Sequence, residues 1–156
     1  MKALDFTALQ KADGVVSELQ QLLADFQIFY SNLRGFHWNI KGKEFYILHA
    51  KFEEMYDDAA EKVDEIAERI LMLDGTPVHN FSEYLKVSRI KETGVVSEGE
   101  KAGKNILETL KTIIKAERKL KESADKISDE TTSAMMSDYI RKQEKTIWML
   151  VSYFSK

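Results

Sequence analysis

The chain has 156 residues, of which 44% are hydrophobic and 31% charged, a globular balance in a length that suits one domain over residues 1–156. It contains no cysteine, which excludes disulfides, zinc–thiolate sites, iron–sulfur clusters and thiol redox catalysis, so any redox chemistry needs nitrogen and oxygen ligands or an organic cofactor. With 23 basic and 26 acidic side chains the formal charge is −3, which argues against a folded body that coats nucleic acid.

The start of the chain offers no targeting segment. It carries Asp5 and Asp13 and lacks the continuous apolar stretch of a secretory signal. The longest apolar runs span a few residues, far short of the ~20 that cross a bilayer. We therefore expect a cytoplasmic protein that does not enter a membrane.

The first long segment of helical periodicity begins near the start of the chain. Its apolar residues recur at steps of three and four, the pattern of an amphipathic helix. They are Leu4, Leu9, Val15, Val16, Leu19, Leu22, Leu23, Phe26, Phe29, Tyr30 and Leu33. Residues 39–43, Asn-Ile-Lys-Gly-Lys, then predict a short turn into a second helix.

The second helix is predicted over residues 44–73, which are rich in Glu, Lys and Ala, and an Asp-Gly-Thr-Pro turn ends it. The connection that follows, residues 78–96, is the longest in the chain. Because it holds Phe81, Tyr84 and Leu85, we expect a short helix there, packed on the body of the protein.

Two more long helices complete the pattern. The third is predicted to begin near Ser97, because Ser97 and Glu100 have the spacing of a capping box. The fourth follows Asp129, and three of its apolar residues are predicted in the core or at an interface: Met135, Met136 and Trp148. Two short connections and one long crossover predict an all-α, ferritin-like four-helix bundle with a short helix in the crossover between helices two and three.

The second helix carries most of the acidic charge. Between Glu44 and Arg69 there are nine acids and three basic residues, a local charge of −6, so the rest of the chain is net positive by three. His37 lies at the end of helix one and His49 early in helix two. Imidazoles together with several carboxylates are a ligand set for iron, manganese or zinc.

Four of these side chains fall on one stripe of the second helix. At about 100° per residue, and with His49 as the origin, Glu53 falls at ~40°, Asp64 at ~60° and Glu68 at ~100°. An acid on a helix usually belongs to a solvated face, and each of these acids alone would be interpreted so. Three acids on one stripe with a histidine, and a second histidine nearby, favour a metal site.

One chain cannot bring the whole stripe to one ion, because His49 and Asp64 lie ~22 Å apart along the helix at ~1.5 Å per residue. The pairs 49/68 and 53/64 share one midpoint, between residues 58 and 59. Two copies of the helix crossing antiparallel there would set His49 level with Glu68 of the partner subunit and Glu53 level with the partner's Asp64.

This arrangement predicts two identical intersubunit metal sites. Each would take three ligands from one chain and two from the other, and the five are His37, His49, Glu53, Asp64 and Glu68. Ala59 and Ala60 stand at the predicted crossing, where small side chains permit a close approach of the two helices.

The same residues lie in two motifs that resemble the signatures of the Dps family, the mini-ferritins or DNA-binding proteins from starved cells. The first motif is His37-Trp38-Asn39-Ile40-Lys41-Gly42 with Leu48-His49 and Glu53, and the second is Val63-Asp64-Glu65-Ile66-Ala67-Glu68-Arg69 followed by Gly75-Thr76. Helix order, crossover and length extend the resemblance over nearly the whole chain. Two positions depart from the family's usual pattern: Asp74 stands where Gly is usual, and Glu53 where Asp is usual.

The resemblance implies a ferroxidase that oxidises Fe(II), preferably with hydrogen peroxide, and stores the Fe(III) mineral in a hollow dodecamer built from two-fold dimers. Such a protein protects against oxidative stress. It implies iron ligands at the five positions that the helix geometry also selects. Neutral imidazole and carboxylate hold Fe(II) with open positions for peroxide, and the anionic shell favours Fe(III) as it forms.

The sequence leaves alternative roles open for several other side chains. Trp38 adjoins a ligand and could, as the resemblance suggests, intercept a stray oxidant, or it could pack in the core. Four acids of helix two could line the cavity or form an ordinary solvated face: Glu54, Asp57, Asp58 and Glu61. His79 has no partner at ligand spacing and is predicted at the surface.

Three acids flank the turn between helices three and four: Asp125, Asp129 and Glu130. Family members use acids near this turn to line iron-admitting pores, where a negative ring attracts Fe(II). Asp129 fits equally well as the capping residue of a helix.

Three other functions compete with iron oxidation. The first is a Dps protein that binds or condenses DNA, which some family members do through a Lys-rich terminal tail. Here the first fourteen residues offer only Lys2 and Lys11 against two acids, and the C-terminus ends at Lys156 with no tail, so we expect weak or no DNA binding. A helical interaction protein would show no metal dependence. A larger-ferritin or di-iron oxygenase relative would carry Glu-x-x-His pairs, whereas Arg34, Tyr46 and Thr76 precede the histidines by three residues.

Overall fold

The computed structural model describes residues 1–9 and 11–155, whose regular structure is helical throughout. The α-helices are α1 Asp13–Asn39, α2 Phe45–Met72, α3 Phe81–Val87, α4 Gly99–Lys126 and α5 Glu130–Phe154. A short 3-10 turn, Ala3–Phe6, precedes them. The prediction of an all-α bundle of four long helices with a short helix in the long crossover is confirmed. In the described part of the chain, no helix combines the length and apolar character that crossing a membrane requires.

The four long helices pack as two hairpins. Residues 40–44 fold α2 back along α1, residues 127–129 fold α5 back along α4, and α1 joins the hairpins by packing on α4. The largest fully buried side chains are Phe26, Phe36, Phe52, Leu19, Leu22, Leu23, Leu33, Leu48, Ile66, Ile70, Ile106 and Ile113. Burial of these apolar stripes, spaced at three and four residues, is the main force that holds the helices together.

A groove of about 330 Å³ separates α2 from α5. Glu54 of α2 and Lys142 of α5 line it near the surface, while Phe26 and Leu110 line it at the core. The groove therefore leads from charged side chains into the middle of the bundle.

The first long helix begins later than the periodicity predicts. α1 starts at Asp13, and before it Ala8 has a φ of 59°, in the left-handed region that interrupts a right-handed helix. Leu4 and Leu9 still pack against the core, although they do not belong to α1. Their apolar spacing therefore reports burial of the N-terminal segment rather than a continuous helix.

Asp74 ties the N-terminal segment to the end of α2. Its carboxylate accepts hydrogen bonds from the backbone N–H groups of Ala3 and Leu4, at 2.8 and 3.1 Å. Asp74 itself has a φ of 59°, a left-handed conformation that Gly adopts freely and Asp tolerates. The Asp found in place of the usual Gly thus keeps the turn and adds an anchor for the start of the chain.

The predicted capping box at Ser97 and Glu100 is wrong. α4 begins at Gly99, and the side chain of its N-cap residue, Glu98, makes no capping hydrogen bond. The Ser97 carbonyl instead accepts a hydrogen bond from the Lys41 N–H at 3.0 Å, which ties the α1–α2 connection to the start of α4. α5 begins directly after Asp129, as predicted.

Buried polar side chains of α1 hold the long crossover in place. Asp25 is fully buried and accepts hydrogen bonds from the backbone N–H and the guanidinium of Arg89, at 2.6 and 2.9 Å. Burial raises the pKa of Asp25, and the Arg89 charge opposes that rise. Asn32 bonds the Lys91 carbonyl and the Thr93 N–H, so the crossover is fixed to α1 at two points.

Candidate metal centre

The connection between α1 and α2 brings two histidines face to face. His37 lies in the last turn of α1 and His49 in the second turn of α2, and their rings stack with centroids 3.8 Å apart and planes 15° apart. Gly42 has a φ of 100°, a conformation that favours Gly and lets the short connection reverse the chain. The fold thus places both predicted imidazole ligands at one point.

Each histidine is hydrogen-bonded to the backbone of the other. The Nδ1–H of His37 donates to the His49 carbonyl and the Nδ1–H of His49 donates to the His37 carbonyl, both at 2.7 Å. Because a carbonyl oxygen only accepts, each Nδ1 carries a hydrogen, and in the neutral imidazole Nε2 then keeps its lone pair. A metal-binding imidazole usually has this form, with one nitrogen tied to a carbonyl and the other on the ion.

Aromatic rings fix the orientation of both imidazoles. The Tyr56 ring meets His37 edge-on at 5.3 Å, and Phe45 stacks on His49 at 4.8 Å. His37 is 8% exposed and His49 half-buried. Partial desolvation, and after it the charge of Glu53, raise the pKa of Tyr56. Sequence reasoning missed Tyr56, although its position seven residues after His49 puts it on the same side of α2.

The three predicted carboxylate ligands lie on α2 and are exposed in one chain. Glu53 is one turn beyond His49, whereas Asp64 and Glu68 lie ~22 Å or more from His49 along the helix. Among residues 1–9 and 11–155, no three acidic or histidine side chains are grouped closely enough to hold a metal ion. One chain thus brings together His37 and His49 with Glu53 nearby, and does not bring Asp64 and Glu68 to them.

Ala59 does not belong to the predicted helix crossing. It is 1% exposed and packs in the core of its own chain, since it lies ~130° around α2 from the centre of the acidic stripe. Ala60 is half-buried and falls within the stripe at ~20° from His49. Of the two small residues, Ala60 alone remains on the face that carries the carboxylates.

Trp38 does not pack in the core, because it is 64% exposed. The Arg34 guanidinium lies between two rings, 4.7 Å from the centroid of Tyr30 and 5.1 Å from that of Trp38. Trp148 is also 64% exposed, so its predicted place in the core is wrong and a place at an interface stays a prediction. Met136 is buried, Met135 half-buried and His79 exposed.

The seven acids whose roles the sequence leaves open separate into an exposed and a buried group. Six are exposed: Glu54, Asp57, Asp58, Glu61, Asp125 and Glu130. Asp129 is buried instead, at 3% exposure, and its carboxylate binds the Arg69 guanidinium at 2.7 Å and the Thr132 N–H at 3.0 Å. The helix-capping interpretation of Asp129 is therefore correct.

Comparison with known proteins identifies the class. Residues 16–156 match the Ferritin-like domain family. A Dps protein from Vibrio cholerae O1, described as a member of a broad superfamily of ferritin-like diiron-carboxylate proteins, superposes with a TM-score of 0.91 at 46% identity, covering 92% of this chain and 91% of that one. Bundle, crossover and match together define a ferritin-like protein.

Two further similarities show which family of ferritin-like proteins the chain belongs to. Dps from Staphylococcus aureus has a TM-score of 0.90 at 35% identity, with 94% of this chain and 98% of that chain covered. The DNA protection during starvation protein of Porphyromonas gingivalis is 48% identical over 157 residues, which cover 99% of both chains. The chain belongs to the Dps family of ferritin-like proteins.

Proposed function

We propose that this protein is an iron-storage ferroxidase that oxidises Fe(II), with hydrogen peroxide as the preferred oxidant, and holds the Fe(III) inside a hollow oligomer. The observation that carries the proposal is the reciprocal hydrogen bonding of His37 and His49. It orients both rings before any ion arrives and, in the neutral imidazoles, leaves Nε2 as the ligand atom. Preformed ligands avoid the cost of ordering side chains when the ion binds.

The proposed site is shared between two chains. His37, His49 and Glu53 of one chain act with Asp64 and Glu68 of the partner subunit, and a two-fold axis makes a second, identical site. The exposure of all three carboxylates in the isolated chain supports this, because they remain free to approach a second copy. Iron is the substrate here and leaves the site as the stored product.

The chemistry suits this ligand set. Two Fe(II) ions give one electron each to one hydrogen peroxide molecule, whose O–O bond breaks, and two protons complete two water molecules. Removing both electrons together avoids release of hydroxyl radical. Carboxylates favour the higher charge of Fe(III), and imidazoles keep the site accessible to Fe(II). By this reaction the protein removes both partners of damaging Fenton chemistry.

We further propose that the functional form is a cytoplasmic dodecamer built from two-fold dimers. Four exposed acids lie on α2, the helix that carries most of the proposed iron ligands, and in a hollow dodecamer they could nucleate mineral. They are Glu54, Asp57, Asp58 and Glu61. In that arrangement Asp58 is partly neutralised, since the buried Lys62 ammonium contacts its carboxylate.

Iron oxidation kinetics test the proposal. Fe(II) mixed with the assembled protein and peroxide should give a fast rise of Fe(III) absorbance. We expect His37→Ala and Asp64→Ala to slow this rise by about 10-fold or more, since loss of even a hydrogen-bond partner of a metal ligand typically costs that much. His79→Ala is the matched control, because His79 is exposed in the crossover. Unchanged kinetics in both site variants would refute the assignment.

A further inference from the structure

A buried acid and a buried amide face each other between α4 and α5. Glu117 is fully buried on α4, and Gln143 of α5 is 5% exposed. The Gln143 Nε2–H donates to Glu117 Oε1 at 2.8 Å. Two oxygens of this pair, Glu117 Oε2 and Gln143 Oε1, are buried and have no hydrogen-bond partner in the described part of the chain. An ionised carboxylate would leave both of them unsatisfied, which is costly inside a protein.

Within residues 1–9 and 11–155, no Lys, Arg or His forms an ion pair with the Glu117 carboxylate. From α2, the Lys62 ammonium faces it but contacts Asp58 and lies 5.1 Å from the centroid of the Tyr139 ring. Arg118, the residue after Glu117 on α4, instead forms an ion pair with Glu144 at 2.6 Å. From α1, Asp25 faces it with a negative charge of its own.

A single proton resolves both unsatisfied oxygens. A neutral carboxylic acid has one O–H donor, and a primary amide offers one N–H and one C=O. If Glu117 Oε2 carries a proton, it becomes the donor that the Gln143 carbonyl oxygen lacks. Burial, opposed by the Gln143 hydrogen bond and the Lys62 charge, raises the pKa of Glu117 to about 8.

We propose that Glu117 is a protonated acid that forms a reciprocal two-hydrogen-bond pair with Gln143, and that this pair is a proton-dependent lock between α4 and α5. Gln143 also lines the groove between α2 and α5. The groove gives solvent a route to the pair, so the proton can leave as the pH rises. Loss of the proton leaves two acceptors, Glu117 Oε2 and Gln143 Oε1, facing each other without a hydrogen between them. The packing of α4 on α5 is then less stable.

Infrared spectroscopy of the assembled protein tests the lock. A protonated carboxylic acid gives a C=O stretching band above the amide I region. We expect this band at pH 6 in the wild type, its half-loss near pH 8, and its absence from Glu117→Gln. Glu122→Gln, an exposed change on the same helix, should retain it. Three outcomes would overturn the proposal. They are absence of the band at pH 6, loss of the band as pH passes the ordinary Glu pKa of 4.5, and retention of the band by Glu117→Gln.

A second variant keeps the test decisive if Glu117→Gln does not fold. Gln143→Leu removes both hydrogen-bond partners but leaves the acid buried. The band should persist and move to higher frequency, because the acid C=O has lost the amide N–H. A band at unchanged frequency in Gln143→Leu would show that Gln143 does not pair with the acid.

Discussion

The guanidinium of Arg69, at the end of α2, binds the carboxylate of Asp129, the N-cap residue of α5, at 2.7 Å. Arg69 also donates from Nε to the Thr132 hydroxyl at 2.9 Å, and that hydroxyl donates to Asp129 at 2.5 Å. The second sequence motif thus ends on a residue that fixes α5 to α2. Arg69, the residue after the proposed ligand Glu68, therefore has a structural role of its own.

Asp129→Ala should destabilise the protein strongly. The change removes a helix cap and leaves Arg69 without its buried partner, which costs about 3 kcal/mol or more. In a chain of this size that lowers Tm by roughly 6–12 °C. Asp129→Asn keeps an acceptor for the Thr132 N–H and should lose less. Calorimetry checks this against Glu130→Gln, an exposed neighbour; equal Tm values for all variants would disprove the network's role.

Stability should depend on pH through Glu117. Its ordinary pKa of 4.5 applies to the unfolded chain, and burial raises it to about 8 in the folded protein. Between these values the unfolded chain loses the proton while the folded chain keeps it. The free energy of unfolding therefore falls, by an amount on the order of a few kcal/mol, as pH rises from 4.5 to about 8, and levels off above.

Glu117→Gln removes this titration and keeps the shape of the side chain. Its Tm should fall less than that of the wild type across the same pH range, while Glu122→Gln should follow the wild type. Parallel curves for wild type and Glu117→Gln would show that Glu117 titrates alike in the folded and unfolded chains.

The long helices were predictable because each buries a continuous apolar stripe, which leaves a period of three to four in the sequence. Their ends were less so. Leu4 and Leu9 continue that period although α1 begins only at Asp13, since a packed irregular segment buries apolar residues too. Ser97 has capping chemistry, but its carbonyl is committed to Lys41, a contact between distant residues that local sequence does not contain.

The sequence allowed the residues of the candidate site to be chosen, but it did not predict how their side chains are arranged in space. Helix arithmetic placed Glu53, Asp64 and Glu68 on one stripe because all three lie on one regular helix. The stacking of His37 on His49 depends on a turn between two helices, and the role of Tyr56 on packing across that turn. Glu117 also escaped notice, because a buried acid looks like any solvated acid in a charged helix.

The assembly should be large. Twelve chains of 18.0 kDa give 216 kDa, and two give 36 kDa. Native mass spectrometry or light scattering at physiological salt should find the larger mass. A stable species at 36 kDa, with no larger form, would contradict the dodecamer while leaving the two-fold site intact.

DNA should bind weakly or not at all. The chain carries a net charge of −3, and its first fourteen residues hold equal numbers of Lys and Asp. Affinity that depends on phosphate contacts falls steeply with salt. A gel shift at about 100 mM salt should show free DNA at micromolar protein. Tight, length-dependent retention there would restore DNA condensation as a function.

Complementation between two slow variants tests the shared iron site most directly. His49→Ala and Asp64→Ala chains, assembled together from unfolded mixtures, should form mixed dimers in which one site carries both changes and the other is intact. Random pairing restores about a quarter of the sites, and so about a quarter of the wild-type oxidation rate. Separately assembled variants, blended afterwards, should keep the slow oxidation of the single variants. A co-assembled sample no faster than that blend would contradict a site built from two chains.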